Sequence, residues 1–160
     1  MPPSFATRAV HAGRADFTDL GVHAPPLDLS STYPTPDLAA AAASYDALAG
    51  GDAPRGNAVY SRLFNPTTDR AERAIAELEG AEDAAAFASG MAAIAAVLLD
   101  ARQRGRHVVA VRPLYGGTDH LLASNTFDLD VSWVAAAEIA TAVRADTSLV
   151  YIETPANPTL

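Results

Sequence analysis

Beyond residue 66 the apolar positions of the chain fall into two rhythms. Ala71, Ala74, Ile75 and Leu78 stand at i, i+3, i+4 and i+7, which is one face of a helix. Pro66-Thr67-Thr68-Asp69 opens that helix, with Thr or Asp as cap and Glu72 three residues after Asp69; Gly80 closes it. On its other face Arg73 and Glu77 can pair at i,i+4. A second helix is predicted over residues 90–104, with Ile94, Val97 and Leu98 on its apolar face and Gly105 behind it. The rhythm then shortens. Residues 108–111 read as a strand, 117–124 as a helix, 130–134 as a strand, 136–143 as a helix and 149–152 as a strand. Continuous Val/Ile/Leu runs of this length suit strands covered on both faces. Their alternation with helices implies parallel βαβ units, so the fold class is α/β.

The first 60 residues have a different texture. Eight of the eleven prolines lie within the first 66 residues. Proline removes a backbone donor and holds its predecessor extended. Most of residues 1–36 is therefore expected to be an arm that builds no sheet of its own and lies on its own body or on a neighbouring subunit. One helix interrupts the region: Asp37 is a candidate N-cap, the alanine-rich stretch 38–49 follows, and Gly50-Gly51 ends it.

Composition narrows the function. With 160 residues, 49% hydrophobic and 19% charged, the chain is globular in character. Its net charge of −8 repels phosphate backbones, so nucleic-acid and anionic-membrane roles are disfavoured. An anionic ligand would need a local pocket of donors. No cysteine is present, which removes disulfides and thiolate metal sites. The four histidines, His11, His23, His107 and His120, form no ligand pair and read as structural or exposed. The chain shows neither a signal-peptide pattern nor the about 20 apolar residues of a membrane span, so a cytoplasmic protein is expected. All eleven basic residues are arginine; there is no lysine.

Three segments carry candidate chemistry. Ser89-Gly90-Met91, at the start of the second helix, offers free backbone N–H groups to an anion, although taken alone it reads first as a cap and tight turn. Tyr60-Ser61-Arg62 sets a phenol and a guanidinium where both reach a phosphate, or is a surface turn. Tyr115, with Gly116 and Gly117 clearing space beside it, suits a planar ligand or is an aromatic packed at a helix entry. No GxGxxG is present to support a dinucleotide site.

Taken in order, these segments resemble the Cys/Met-metabolism family of pyridoxal-phosphate enzymes, the cystathionine γ-synthase, cystathionine γ-lyase and methionine γ-lyase group of fold type I. The resemblance runs from Thr7-Arg8-Ala9-Val10-His11-Ala12-Gly13 through Pro25-Pro26, Ser30-Ser31-Thr32-Tyr33, Asn65-Pro66-Thr67 and Leu78-Glu79-Gly80. It closes on Tyr115-Gly116-Gly117-Thr118 and Glu153-Thr154-Pro155-Ala156-Asn157-Pro158.

The resemblance implies the first part of a fold type I aminotransferase-like large domain. Residues 1–60 would be an arm with one short helix packing on a partner subunit, and 61–160 the first part of the cofactor-binding α/β domain. It implies pyridoxal 5'-phosphate as cofactor, a small amino-acid substrate, and a homotetramer built as a dimer of dimers through the arm. Ser89, Gly90 and Met91 would hold the cofactor phosphate. Tyr60 and Arg62 would reach the phosphate of the adjacent subunit. Tyr115 would stack on the ring and shuttle protons, and Asn157 would stand beside the phenolic oxygen. Glu153 lines the same strand end without an assigned role. The implied reaction is γ-elimination or γ-replacement on cystathionine, methionine or an O-acylhomoserine. Gly117 stands where methionine γ-lyases commonly carry cysteine, which weighs against methionine without excluding it. The family's Schiff-base lysine lies beyond residue 160, as do the aspartate facing the pyridine nitrogen and the arginine for the substrate carboxylate. The expectation is an N-terminal portion of the enzyme, the rival being a non-catalytic or split-enzyme fragment that binds a complementary chain. A phosphate-binding module resting on the glycines alone is the remaining alternative.

A chain with no lysine offers an aldehyde only its terminal amine, because guanidinium stays protonated. Mixed with pyridoxal phosphate and reduced with borohydride, the 160-residue chain is expected to gain no mass except at that terminus, and to release no thiol or ammonia from methionine or cystathionine. An adduct on any internal residue overturns this.

Overall fold

A computed structural model of the chain describes residues 3–156. It separates into two compact units, Met1–Ala86 and Phe87–Leu160.

In the first unit, the stretch between the proline pairs at 2–3 and 25–26 is free to coil. It forms two short helices that the sequence reading left within the arm, α1 (Phe5–His11) and α2 (Phe17–Leu20). Helix α3 (Leu38–Ala49) starts where expected, with the Asp37 carboxylate accepting from the Ala40 N–H at 2.8 Å. Helix α4 (Pro66–Glu79) is capped neither by Thr nor by Asp69. The Asn65 side-chain oxygen accepts from the N–H groups of Thr67 (2.9 Å) and Thr68 (3.1 Å). Pro66 is then the first helical residue, where its missing N–H costs nothing. Arg73 pairs with Asp69 at 2.8 Å rather than with Glu77. The buried face of α4 also differs from the expected one: Ala76 is buried, whereas Ile75 is 54% exposed.

The arm lies along α4. Arg8 donates to the Glu77 carbonyl (3.1 Å), Arg70 pairs with Asp16 (2.5 Å), and the Asp28 N–H donates to the Thr67 hydroxyl (2.8 Å). Gly13 makes the close approach possible. Its φ is +71°, and a Cβ there would stand 3.0 Å from Ala74 Cβ and 3.1 Å from the Arg70 carbonyl oxygen. The arm does pair once in β fashion, through an antiparallel bridge between Thr32 and Tyr60.

The second unit holds the predicted α/β pattern. Helix α5 (Gly90–Arg104) leads into β1 (His107–Val111), followed by α6 (Gly116–Ala123), β2 (Asp130–Val134), α7 (Ile139–Ala142) and β3 (Thr147–Tyr151). The strands form one parallel sheet in the order β2-β1-β3. Only β1, at the centre, is buried along its whole length; β2 and β3 are half-covered flanks. The core gathers Leu98, Val108, Ala110, Leu114, Leu122 and Leu129. On α5 Leu98 and Ala101 are buried and Ile94 is partly buried beside them, while Val97, expected on the same face, is 46% exposed.

The helix expected over 136–143 is broken into a 3-10 turn, Ala136–Glu138, and the single turn of α7. The Thr141 hydroxyl donates back to the Glu138 carbonyl (2.8 Å), which competes with helix propagation. Strand β3 begins two residues earlier than expected because His107 recruits it. His107 is fully buried, its ring nitrogens within 2.6 Å of the Thr147 hydroxyl on β3 and 2.9 Å of the Ser132 hydroxyl on β2. It cross-links the three strands. No helix among the described residues is long and apolar enough to cross a membrane.

Gly105 sits tightly under β3. A Cβ on it would stand 2.6 Å from the Asp146 carbonyl oxygen and 3.2 Å from Ser148 Cβ. Gly105→Ala is expected to cost about 1–3 kcal/mol of unfolding free energy, read as a lower urea midpoint at unchanged slope. A second expectation concerns acid. The hydrogen bond from Arg70 holds the Asp16 carboxyl below the ordinary aspartate value of 3.8. The pair's contribution is therefore full above that value and is lost only as pH falls through the lower folded one. Titrating the Asp16 carboxyl carbon by NMR should give a midpoint below 3.8. Arg70→Gln should return it upward, and an unmoved midpoint would show that the tether does not exist in solution.

Candidate functional site

In an open parallel sheet, ligands settle beyond the carboxyl ends of the strands, where the loops diverge. Here that edge carries a cavity of about 390 Å³. Val111, Arg112 and Pro113 line it after β1, Ala135 and Ala136 after β2, and the segment from Ile152 to Ala156 after β3. The Arg112–Pro113 and Thr154–Pro155 peptides in its walls are both cis. Arg112 is not free for a ligand. Its guanidinium makes a forked pair with Asp119 (2.6 and 3.1 Å) and lies 3.7 Å from the centroid of the Trp133 ring.

Tyr115 stands at the N-cap of α6, and tyrosine cannot cap its own helix. Glu153, at the end of β3, supplies the acceptor. Its Oε2 takes the Tyr115 N–H at 2.5 Å, while Oε1 takes the hydroxyls of Thr118 and Tyr151, each at 3.0 Å. Thr118 is fully buried. Burial pushes the Tyr151 phenol above its ordinary value, and the negative charge of Glu153 pushes it further. The Tyr115 ring itself is half-exposed and leans over Gly117. A Cβ on Gly117 would meet Tyr115 Cε1 at 2.6 Å and Met91 Sδ at 3.1 Å. Tyr115 and Met91, 24 residues apart in the chain, are thus brought together around a glycine.

Ser89 caps α5, its hydroxyl accepting from the Ala92 N–H at 3.1 Å. Gly90 and Met91 are the first two helical residues, and the first N–H groups of a helix have no intrahelical partner. Among the described residues nothing lies within 4 Å of where a Gly90 Cβ would be, so there is room beside those donors. This fits a dianionic group. In the first unit the guanidinium of Arg62 lies 4.6 Å from the centroid of the Tyr60 ring. Among the described residues Arg62 has no ion pair, whereas seven other arginines pair with aspartates. Asn157 lies outside the described residues.

Sequence reasoning found the phenol and the amides but left Glu153 without a role. The signal was present in one form: a helix entered through Tyr115-Gly116 has no capping side chain of its own and must borrow an acceptor.

The chain is 57% identical over 156 residues to an L-methionine gamma-lyase of Streptomyces avermitilis, covering 96% of this chain and 38% of that protein. It is 34% identical over 161 residues to the cystathionine gamma-lyase of Saccharomyces cerevisiae, covering 98% of this chain and 37% of the relative. The crystal structure of cystathionine gamma-lyase from yeast superposes with a TM-score of 0.75 at 32% identity, over 100% of this chain and 38% of that one. The chain thus spans less than half the length of these relatives, and over that span its fold is that of fold type I enzymes. The family described as Cys/Met metabolism PLP-dependent enzyme matches residues 6–160, and the chain belongs to it.

Proposed function

We propose that this chain is the amino-terminal part of a pyridoxal-phosphate enzyme that eliminates the γ-substituent of a sulfur amino acid, with methionine as the favoured substrate. The 57% identity to a protein named L-methionine gamma-lyase carries this reading. Two further proteins of that name are 52% and 50% identical, against 38% for an O-succinylhomoserine sulfhydrylase and 34% for a cystathionine gamma-lyase. These identities outweigh Gly117, whose missing cysteine argued against methionine.

The residues take complementary roles. The N–H groups of Gly90 and Met91 hold the phosphate at the positive end of α5, with Ser89 fixing that first turn. Tyr115 lies along the cofactor ring, and its phenolic oxygen holds or passes a proton. Pyridoxal phosphate, when bound, supplies the conjugated ring that stores electrons released at the substrate's α-carbon. Arg62 and Tyr60 reach the phosphate of an adjacent subunit. The exposure of Leu27 (74%), Leu29 (92%) and Leu38 (88%) leaves apolar surface on the arm for a partner subunit, and we propose a dimer of dimers. A cytoplasmic location fits an enzyme of small-molecule metabolism.

The test is the full-length gene product, loaded with cofactor and supplied with methionine, cystathionine, or O-succinylhomoserine plus sulfide. Methionine is expected to yield thiol, ammonia and a 2-oxo acid, with kcat/KM on the order of 10-fold above that for cystathionine. Tyr115→Phe should lower kcat by roughly 10²–10⁴-fold if its hydroxyl moves the proton. Turnover of the acylhomoserine alone would replace elimination by γ-replacement as the reaction.

A further inference from the structure

Glu153 is the acceptor on which the entry of α6 depends. Helix α6 begins immediately after a short loop from β1, and its N-cap residue, Tyr115, contributes no side-chain cap. An uncapped first turn leaves N–H donors without partners and frays easily. A carboxylate from 38 residues further along, just past β3, takes the N–H of that N-cap residue itself. One of its oxygens holds the Tyr115 N–H at 2.5 Å. The other is fixed by the hydroxyls of Thr118, itself fully buried, and Tyr151. A carboxylate with three donors in this arrangement has one position, and the backbone of Tyr115 takes its own position from it. The ring is then seated by Gly117, whose missing Cβ leaves 2.6 Å to Tyr115 Cε1, and by Met91.

We infer that Glu153 is the positioning residue for Tyr115, fixing the backbone from which the phenol projects by accepting its N–H across the mouth of the sheet. The inference rests on the proposed role of Tyr115 toward the cofactor ring. It is a claim about reach rather than charge, and that distinction makes it testable. Glutamine has the same length. Its carbonyl can take the Tyr115 N–H while its NH2 donates to the two hydroxyls, each of which can turn to accept. Aspartate keeps the charge but is one methylene short of the same donors. Alanine removes the acceptor altogether.

The experiment uses the full-length product with Glu153→Gln, Glu153→Asp and Glu153→Ala. In the cofactor-free protein, hydrogen exchange at the Tyr115 amide is expected to quicken at least about tenfold in the Asp and Ala variants, the loss of one net hydrogen bond, and to stay near wild type in Gln. In the loaded enzyme, Asp and Ala should weaken the circular dichroism of the cofactor absorption band and lower kcat more than they change KM, and Gln should restore both. If Ala does not fold, Asp carries the same comparison. Wild-type exchange and dichroism in a folded Asp or Ala variant would overturn the inference, as would a Gln variant as impaired as Ala. A Tyr115→Ala control separates the underlying reading. If its cofactor dichroism matches wild type, Tyr115 does not face the ring, and the role of Glu153 in holding the amide is still decided by exchange.

Discussion

The arrangement of the second unit follows from one constraint, that β1 must be paired on both sides and covered on both faces. All five of its residues are buried, and every one has a partner on β2. With both faces covered, moving β1 by one residue would exchange the side chains packed on each face and break their fit. Its carboxyl end is therefore fixed, and with it the turn through Arg112–Tyr115 that starts α6. The carboxyl end of β3 is fixed by the same ladder. Glu153 and Tyr115 meet because two adjacent strands end at the same edge. His107 reinforces the other end of β1, its ring bridging hydroxyls on both flanking strands. A buried imidazole with both nitrogens partnered adds specificity to the register without leaving an unsatisfied donor.

The sequence made the skeleton legible where local chemistry decides structure. Strand β2 and helix α5 fall at their predicted limits because a Val-rich run and an Ala-rich run bounded by Ser89 and Gly105 have few alternatives. Local chemistry also explains two misreadings. Asn65 was passed over as a cap in favour of Thr or Asp69, although a proline prefers the first helical position and puts the cap one residue before itself. The α7 region read as one helix because alanines dominated the pattern, yet Thr141 bonds back to Glu138 and stops propagation. Other features were illegible in principle. Which face of α4 is covered depends on where Gly13 lets the arm approach. The role of Glu153 depends on donors 35 and 38 residues away in sequence. Periodicity carries no information about either.

Charge explains how an acidic chain can keep a place for an anion. The net charge is −8, so the long-range field opposes a phosphate. Most arginines are spent on aspartates at the surface, where each such pair contributes only about 0–1 kcal/mol. Arg112 is typical: forked onto Asp119 and stacked on Trp133, it is neutralised at the mouth of the cavity it lines. The donors left over are of a different kind. The opening amides of α5 carry the partial positive charge of a 15-residue helix, and their worth is local and short-ranged. Recognition of a dianion at that point needs no change in the global sign.

Net repulsion with local attraction also constrains what can sit beside the first turn of α5. Gly117 leaves space where a side chain would intrude on the Tyr115 ring, and the surroundings of Gly90 are open among the described residues. The negative group near Tyr115, Glu153, lines the cavity with both oxygens engaged by N–H and O–H donors. The same three donors that fix its position also spread its charge. Glutamate, unlike arginine, can accept an N–H, and it is as an acceptor that Glu153 serves as the strut for Tyr115.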